Sequence, residues 1–248
     1  MTPSRAATAR ERARAELTRE IKEEAKRQLA ATGADGLSLR AVARELGMVS
    51  SALYRYYPSR DELLTALIID AYDALGETAE RAILSAGGAG RTRWIAACRA
   101  IRDWARSNPH EYALIYGSPV PGYRAPEATI GPASRVPLAF TGVLAAAFAS
   151  GEVGAGAPGA SGDGPGGRGV ALPVNGELAA QAASLAAALS SPELPPDALV
   201  RAVIAWTQLF GMISFELFGQ FVGSFDPPDA LFAQAVAQLA AFVGFREP

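Results

Sequence analysis

Residues 37–63 read LSLRAVARELGMVSSALYRYYPSRDEL. Leu39, Val42, Ala43 and Leu46 recur at helical spacing, Gly47 interrupts the run, and Ser50-Ser51 open a second helix, read as eight residues, that carries Leu53, Tyr54, Tyr56 and Tyr57. Two short helices about a tight turn form a helix-turn-helix. A short helix that starts with small residues can enter the major groove and bring its N-terminal side chains to base edges. Ser50, Ser51, Tyr54 and Arg55 are therefore the candidate base readers. Tyrosine hydroxyls and a guanidinium also donate to phosphates, which set register rather than sequence preference. A buried helical hairpin with Tyr54, Tyr56 and Tyr57 as core aromatics would show the same pattern, and only the surroundings separate the two.

The segment resembles the N-terminal domain of the TetR/AcrR family of bacterial transcriptional regulators. Three blocks carry the resemblance: Val42-Ala43-Arg44-Glu45-Leu46-Gly47, Ala52-Leu53-Tyr54-Arg55-Tyr56-Tyr57 and Ser59-Arg60-Asp61-Glu62-Leu63. Val49 stands where the family has a helix-capping serine, so the cap is expected to shift to Ser50. Ser51 and Ala52 replace a glycine-threonine pair, Tyr56 replaces a histidine and Arg60 a lysine. These departures leave the fold reading intact and alter the operator expected. The resemblance implies an all-α protein with an N-terminal three-helix DNA-binding domain and a helical effector-binding and dimerisation domain. It also implies phosphate contacts from Ser38, with Arg40, Tyr56 and Arg60 beside it. In the family, ligand-driven tilting of the fourth helix changes the separation of the two heads of a dimer.

Composition narrows the alternatives. The 248 residues are half hydrophobic and carry a formal net charge of −2, so any affinity for nucleic acid must come from charge distribution. Residues 1–62 hold twelve Lys+Arg against nine Asp+Glu, and residues 63–248 hold eleven against sixteen. The basic excess sits with the motif. Cys98 and His110 are the only cysteine and histidine, which leaves no disulfide framework and almost nothing from which to build a His-based triad or a metal site. No cofactor or metal is expected, and an enzyme built on a helical bundle is disfavoured. The N-terminus shows charged residues from Arg5 without an apolar signal core, and Gln208, Glu216 and Gln220 interrupt the long apolar helix near the C-terminus. A cytoplasmic protein without a membrane span is expected.

Read in order, residues 1–10 are expected to form a disordered basic tail, solvated or in contact with a groove or phosphates. The DNA-binding domain spans 11–75, with its helix-turn-helix at about 38–57. Leu17, Ile21, Ala25 and Leu29 mark its first helix, ended by Gly33 and Asp35-Gly36. Ser59 and Glu62 form a capping box for the fourth helix, whose stripe is Leu63, Leu64, Leu67, Ile68, Ala71, Tyr72 and Leu75. The second domain covers 76–248. Trp94, Ala97, Cys98, Ile101, Trp104 and Ala105 face one side of a fifth helix, and Pro109 opens a sixth. Five prolines over 117–137 predict a loop, with helix resuming from Pro137. Gly, Pro and Ser make up twelve of the nineteen residues from Gly151 to Gly169, so a disordered insertion is expected at about 151–172.

Leu199, Val203, Trp206, Phe210, Ile213, Leu217 and Phe221 then recur in steps of three and four, and the last helix repeats the pattern. A monomer core explains this seam as well as a two-fold interface does, and the resemblance favours the interface. Val203, Phe210, Ile213, Leu217, Phe232, Leu239 and Phe242 are its expected residues in a homodimer. Trp94, Trp104, Tyr112, Phe140, Trp206 and Phe210 are the expected lining of an apolar effector pocket. The function expected is sequence-specific binding to a double-stranded DNA operator, as a repressor released by a small apolar or aromatic molecule. The alternatives are an activator, or a ligand-binding or interaction module with a vestigial DNA-binding head.

Overall fold

The computed structural model describes residues 5–153 and 174–246. Its helices in chain order are α1 (Arg5–Thr32), α2 (Leu39–Glu45), α3 (Ser50–Leu53), α4 (Arg60–Ala86), α5 (Gly90–Ser107), α6 (Pro109–Tyr116), α7 (Ile130–Ala149), α8 (Gly176–Ala188), α9 (Pro196–Leu217) and α10 (Asp229–Val243). Two compact units divide them. One is Met1–Tyr72 with Asn108–Pro132, and the other is Asp73–Ser107 with Ala133–Pro248.

In the first unit the expected tail over 1–10 is helix from Arg5 onward, and residues 1–4 lie outside the described residues. The run after Pro3 is rich in alanine and arginine and contains no breaker, so nothing stops the helix from starting early. Ile21, Ala25 and Leu29 are buried as expected, with Leu17 half-buried. Gly33, at φ 71°, ends the helix and leads into a 3-10 turn at Ala34–Gly36. Leu39, Val42, Leu53, Leu63, Leu64 and Leu67 complete the core around α1.

α6 and the loop after it also belong to this unit, although the domain boundary expected at residue 75 places them in the body. Tyr112 is fully buried, and Tyr116 meets the edge of Tyr72 at 6.2 Å between ring centroids. The Tyr123 hydroxyl lies 2.9 Å from Thr65 Oγ1, and Lys26 pairs with Glu111 at 3.7 Å. A helix of eight residues carries too short a pattern to reveal which core it joins.

The second unit is a bundle of α4 from Asp73 onward, α5, α7 from Ala133 onward, α8, α9 and α10. α7 begins at Ile130, seven residues before the expected end of the loop. Pro132 falls in the first turn, where a missing N–H is tolerated, and Pro137 is held inside the helix by burial of Val136 and Phe140 on either side. α4 and α7 approach so closely that a Cβ on Gly76 would lie 2.6 Å from the Cβ of Arg135. Arg135 spans that contact, donating to Asp73 Oδ1 at 2.8 Å and to Glu80 Oε2 at 2.6 Å. α9 stops at Leu217, before Phe221, because Gly219 takes φ 76° and the Gln220 N–H donates back to the Phe215 carbonyl at 2.8 Å. Gly219 is thus a helix terminator and not an interior glycine. Residues 151–153, the start of the expected insertion, are placed, with Val153 buried and bridged to Phe245, and the rest of it, from 154 on, lies outside the described residues.

The apolar seam of α9 and α10 mostly serves this unit's own core. Phe210, Ile213, Phe232 and Leu239 are buried within the chain and are removed from the expected interface; Leu217 is half-buried, while Val203 and Phe242 remain 39% and 38% exposed. Apolar residues at helical spacing look alike in sequence whether a neighbouring helix or a second chain covers them. By length and composition α9 and residues 127–149 reach what a membrane span needs, contrary to the reading of the sequence. However, α9 buries Arg201, paired with Asp197 at 2.7 Å, and Glu216, paired with Arg102, which is how a core helix of a bundle behaves.

Arg102 joins three helices of this unit. Its Nε and Nη2 donate to the two Glu216 oxygens at 2.6 and 2.8 Å, its Nη1 donates to Asp229 Oδ1 at 2.9 Å, and the guanidinium lies 4.6 Å above the Phe232 ring. Removing the cation while leaving Glu216 largely buried is the costly half of such a pair. Arg102→Met should therefore destabilise the protein by about 3–5 kcal/mol in thermal or urea unfolding. Asp229→Asn, at an exposed carboxylate, should have a far smaller effect. The Arg102 hydrogen bond holds the Asp229 carboxyl below the usual carboxylate range. Its stabilising contribution is therefore complete above the unfolded value of about 3.9 and disappears as the pH falls through its lower folded value. Unfolding followed from pH 6 to pH 2 should show this acid limb, and Asp229→Asn should weaken it.

Candidate nucleic-acid interface

The turn of the helix-turn-helix is set by one glycine. Gly47 takes φ 65°, its N–H donates to the Arg44 carbonyl at 3.1 Å, and the Met48 N–H donates to the Ala43 carbonyl at 2.8 Å. This doubly bonded helix ending needs a left-handed residue, which glycine supplies without a Cβ penalty. Val49 then takes the capping position of α3 with no side-chain hydrogen bond, and Ser50 is already the first helical residue. The expected shift of the cap to Ser50 does not occur. α3 is also shorter than the eight residues expected: after Leu53 the backbone tightens, with the Tyr56 N–H donating to the Leu53 carbonyl at 2.8 Å.

Side-chain exposure decides between a reading helix and a buried hairpin. Leu53 is fully buried and Tyr57 is 8% exposed, whereas Tyr54 is 41% exposed and Ser51 and Arg55 are open to solvent. Tyr57 is a core aromatic, Tyr56 is half-buried against that core, and Tyr54 is open. The Tyr54 N–H still donates to the Ser50 carbonyl at 3.1 Å, and of the four candidate base readers Ser51, Tyr54 and Arg55 are exposed while Ser50 is half-buried.

The candidate phosphate ligands divide. Arg40 is exposed on α2. Ser38 caps α2, its Oγ accepting from the Ala41 N–H at 3.4 Å, so its hydroxyl hydrogen is left to donate outward. Arg60 is turned into the protein instead. Its Nη2 donates to the Ala34 carbonyl at 2.7 Å and its Nη1 lies 3.6 Å from Asp61, so it braces the first turn of α4 against the 3-10 turn and is not free to swing toward a phosphate as the exposed Arg40 is. A guanidinium is long enough to fold back to a carbonyl that only the tertiary structure brings near. Ser59 Oγ accepts from the Glu62 N–H at 3.1 Å, which is half of the expected capping box. A contact that the sequence did not reveal is that of Arg14, whose guanidinium carbon stands 5.3 Å from the centroid of the half-buried Tyr56 ring. Its place in a basic run was visible, but its partner forty-two residues on was not.

The expected effector residues form pairs, not one lining. Trp94 meets Phe140 at 4.6 Å, and Trp206 meets Phe210 at 5.3 Å, both within the second unit. Tyr112 is fully buried within the first unit and leaves the set. Trp104 is half-buried. The indole N–H groups of Trp94 and Trp206 are buried without a hydrogen-bond partner. His110 is exposed at the mouth of a pocket of about 220 Å³ in the first unit, beside Leu114 and Val120. Among the described residues, no group of three or more His, Cys, Asp or Glu side chains is placed to hold a metal ion.

Comparison with known proteins agrees with this geometry. The family described as bacterial regulatory proteins, tetR family, matches residues 21–67, and that described as the tetracyclin repressor-like C-terminal domain matches residues 94–239. The HTH-type transcriptional regulators Mb1846 of Mycobacterium bovis and Rv1816 of Mycobacterium tuberculosis are each 51% identical over 146 residues, 57% of this chain and 61% of the relative. The match thus spans about three-fifths of those relatives' length. A crystal structure of a regulatory protein, SCO4313, aligns over 96% of this chain and 98% of its own at 33% identity, with a TM-score of 0.68. A protein of unknown function from Rhodococcus sp. RHA1 shares the fold at 23% identity and a TM-score of 0.66, over 91% of this chain and 94% of its own. Helix-turn-helix, helical body and both halves of the family pattern converge, and the chain belongs to the tetR family of bacterial regulatory proteins.

Proposed function

We propose that the protein binds a double-stranded DNA operator as a two-fold dimer and represses transcription until a small apolar or aromatic effector releases it. The observation that carries this reading is the orientation of α3: Leu53 is buried, and Tyr54, Ser51 and Arg55 face solvent. In this reading Ser50, Ser51, Tyr54 and Arg55 meet base edges, while Ser38, Arg40 and Tyr56 hold phosphates. Two heads related by a two-fold axis read a pseudo-palindrome whose half-sites are about one helical turn, roughly 34–36 Å, apart or slightly more. The relatives' designation as HTH-type transcriptional regulators supports the same function.

Dimerisation is supported by apolar surface left open on the second unit. Val203 and Ile204 on α9 and Phe242 on α10 are 38–39% exposed, and the Arg201 Nε contact to the Val243 carbonyl places these helix segments side by side. A second copy covering them forms a self-complementary contact. The effector is supported by Trp206, whose buried indole N–H lacks a protein acceptor beside Phe210. A buried donor left unpaired costs about 1–3 kcal/mol, so a ligand acceptor that reached this N–H would recover part of that cost. The reading requires no metal or cofactor and places the protein with the DNA in the cytoplasm.

Protection of the DNA flanking the protein's own gene, with non-specific duplex as competitor, tests this function. A discrete two-fold footprint is expected. Tyr54→Ala should abolish it without loss of helical circular dichroism, since Tyr54 contributes little to the core. A variant that protects the same site at wild-type affinity would remove the assignment of α3 as the reading helix.

A further inference from the structure

We propose that the N-terminal turns of α1 add a second phosphate grip to the head, carried by Arg14 and Arg10. The inference rests on the DNA-binding reading above and extends it to a segment that reading does not use. The family match to the head begins at residue 21, whereas α1 begins at Arg5, so this stretch of helix precedes the matched pattern. Arg14 does not point away from the head. Its guanidinium carbon lies 5.3 Å from the centre of the Tyr56 ring, and Tyr56 lies three residues beyond the end of α3.

A cation held over an aromatic face keeps its outward N–H groups free while its position is fixed, so an arriving anion costs it little conformational freedom. With Tyr56 at a phosphate, Arg14 is within reach of the same phosphate or its neighbour. Arg10 is exposed four residues earlier, on the same side of the helix and about 6 Å farther along it, which is close to the spacing of successive phosphates. Nearby cations are already committed: Arg19 pairs with Glu16 at 2.5 Å and Lys22 with Asp70 at 2.8 Å. Among the described residues Arg14 has no ion-pair partner, although Glu11 and Glu23 line the same groove. Arg12, two residues from each, points to the other side of α1.

The test is the salt dependence of binding by the full-length chain, measured from 50 to 200 mM KCl on the protected operator duplex and on a non-specific duplex. Removing one cation from a phosphate should flatten the slope of log affinity against log salt by about 0.9. Arg14→Gln is therefore expected to flatten it by about that amount, and Arg10→Gln with Arg14→Gln by about twice as much, on both duplexes alike. Arg14→Lys should restore most of the slope, and Arg12→Gln should leave it at the wild-type value. A double variant with the wild-type slope, or Arg12→Gln flattening the slope equally, overturns the inference while leaving operator recognition intact. Wild-type protein that binds the non-specific duplex but protects no operator removes the regulator reading, and the variants on that duplex still decide the grip. No salt-dependent binding to either duplex overturns both.

Discussion

Burial of Leu53 is the constraint on which the reading head depends. α3 is a single turn, too short to be stable alone, and its orientation is fixed by which of its side chains enters the core. Leu53 does so without remaining exposure, packed with Val42, Leu63 and Leu67, and this turns Tyr54, Ser51 and Arg55 outward. Gly47 supplies the complementary condition. Its left-handed backbone brings α3 back across α2 within three residues, so that Leu53 reaches the core at all. A helix built this way presents its polar side as a consequence of its apolar one, and that exposure requires no separate stabilisation.

The second unit is held differently. Apolar packing supplies most of its stability, but registration among α5, α9 and α10 depends on Arg102, which fixes the end of one helix and the beginning of the next through Glu216 and Asp229. Arg135 does the same for α4 and α7, at a place where glycine lets the two backbones approach. Such buried or half-buried ionic contacts are costly to break from one side only. Membership in a family of regulators sets aside the bundle enzyme that the sequence left open.

Much of this was legible in the sequence, and the parts that were not have common causes. Helical periodicity marked the buried stripes of α1, α4 and α5, and glycine marked the turn at residue 47. Periodicity reports that a face is covered but not by what. That is why Phe210, Ile213, Phe232 and Leu239 read as interface when they are core, and why Tyr112 reads as part of the wrong unit. Prolines mislead in α7 because Pro132 falls where a helix tolerates one and Pro137 is held by its buried neighbours. Long side chains mislead most. Arg60 folds back to Ala34 and Arg14 reaches Tyr56, and neither destination is encoded near the residue itself.

The central claim is that α3 reads DNA sequence. The most direct measurement is selection of binding sites from random duplexes by the full-length protein, at a salt concentration high enough to suppress non-specific binding. The account predicts enrichment of a two-fold symmetric motif, with half-sites spaced by about one helical turn. Recovery of unenriched duplexes at every round, from protein that is folded and binds DNA only at low salt, would contradict it.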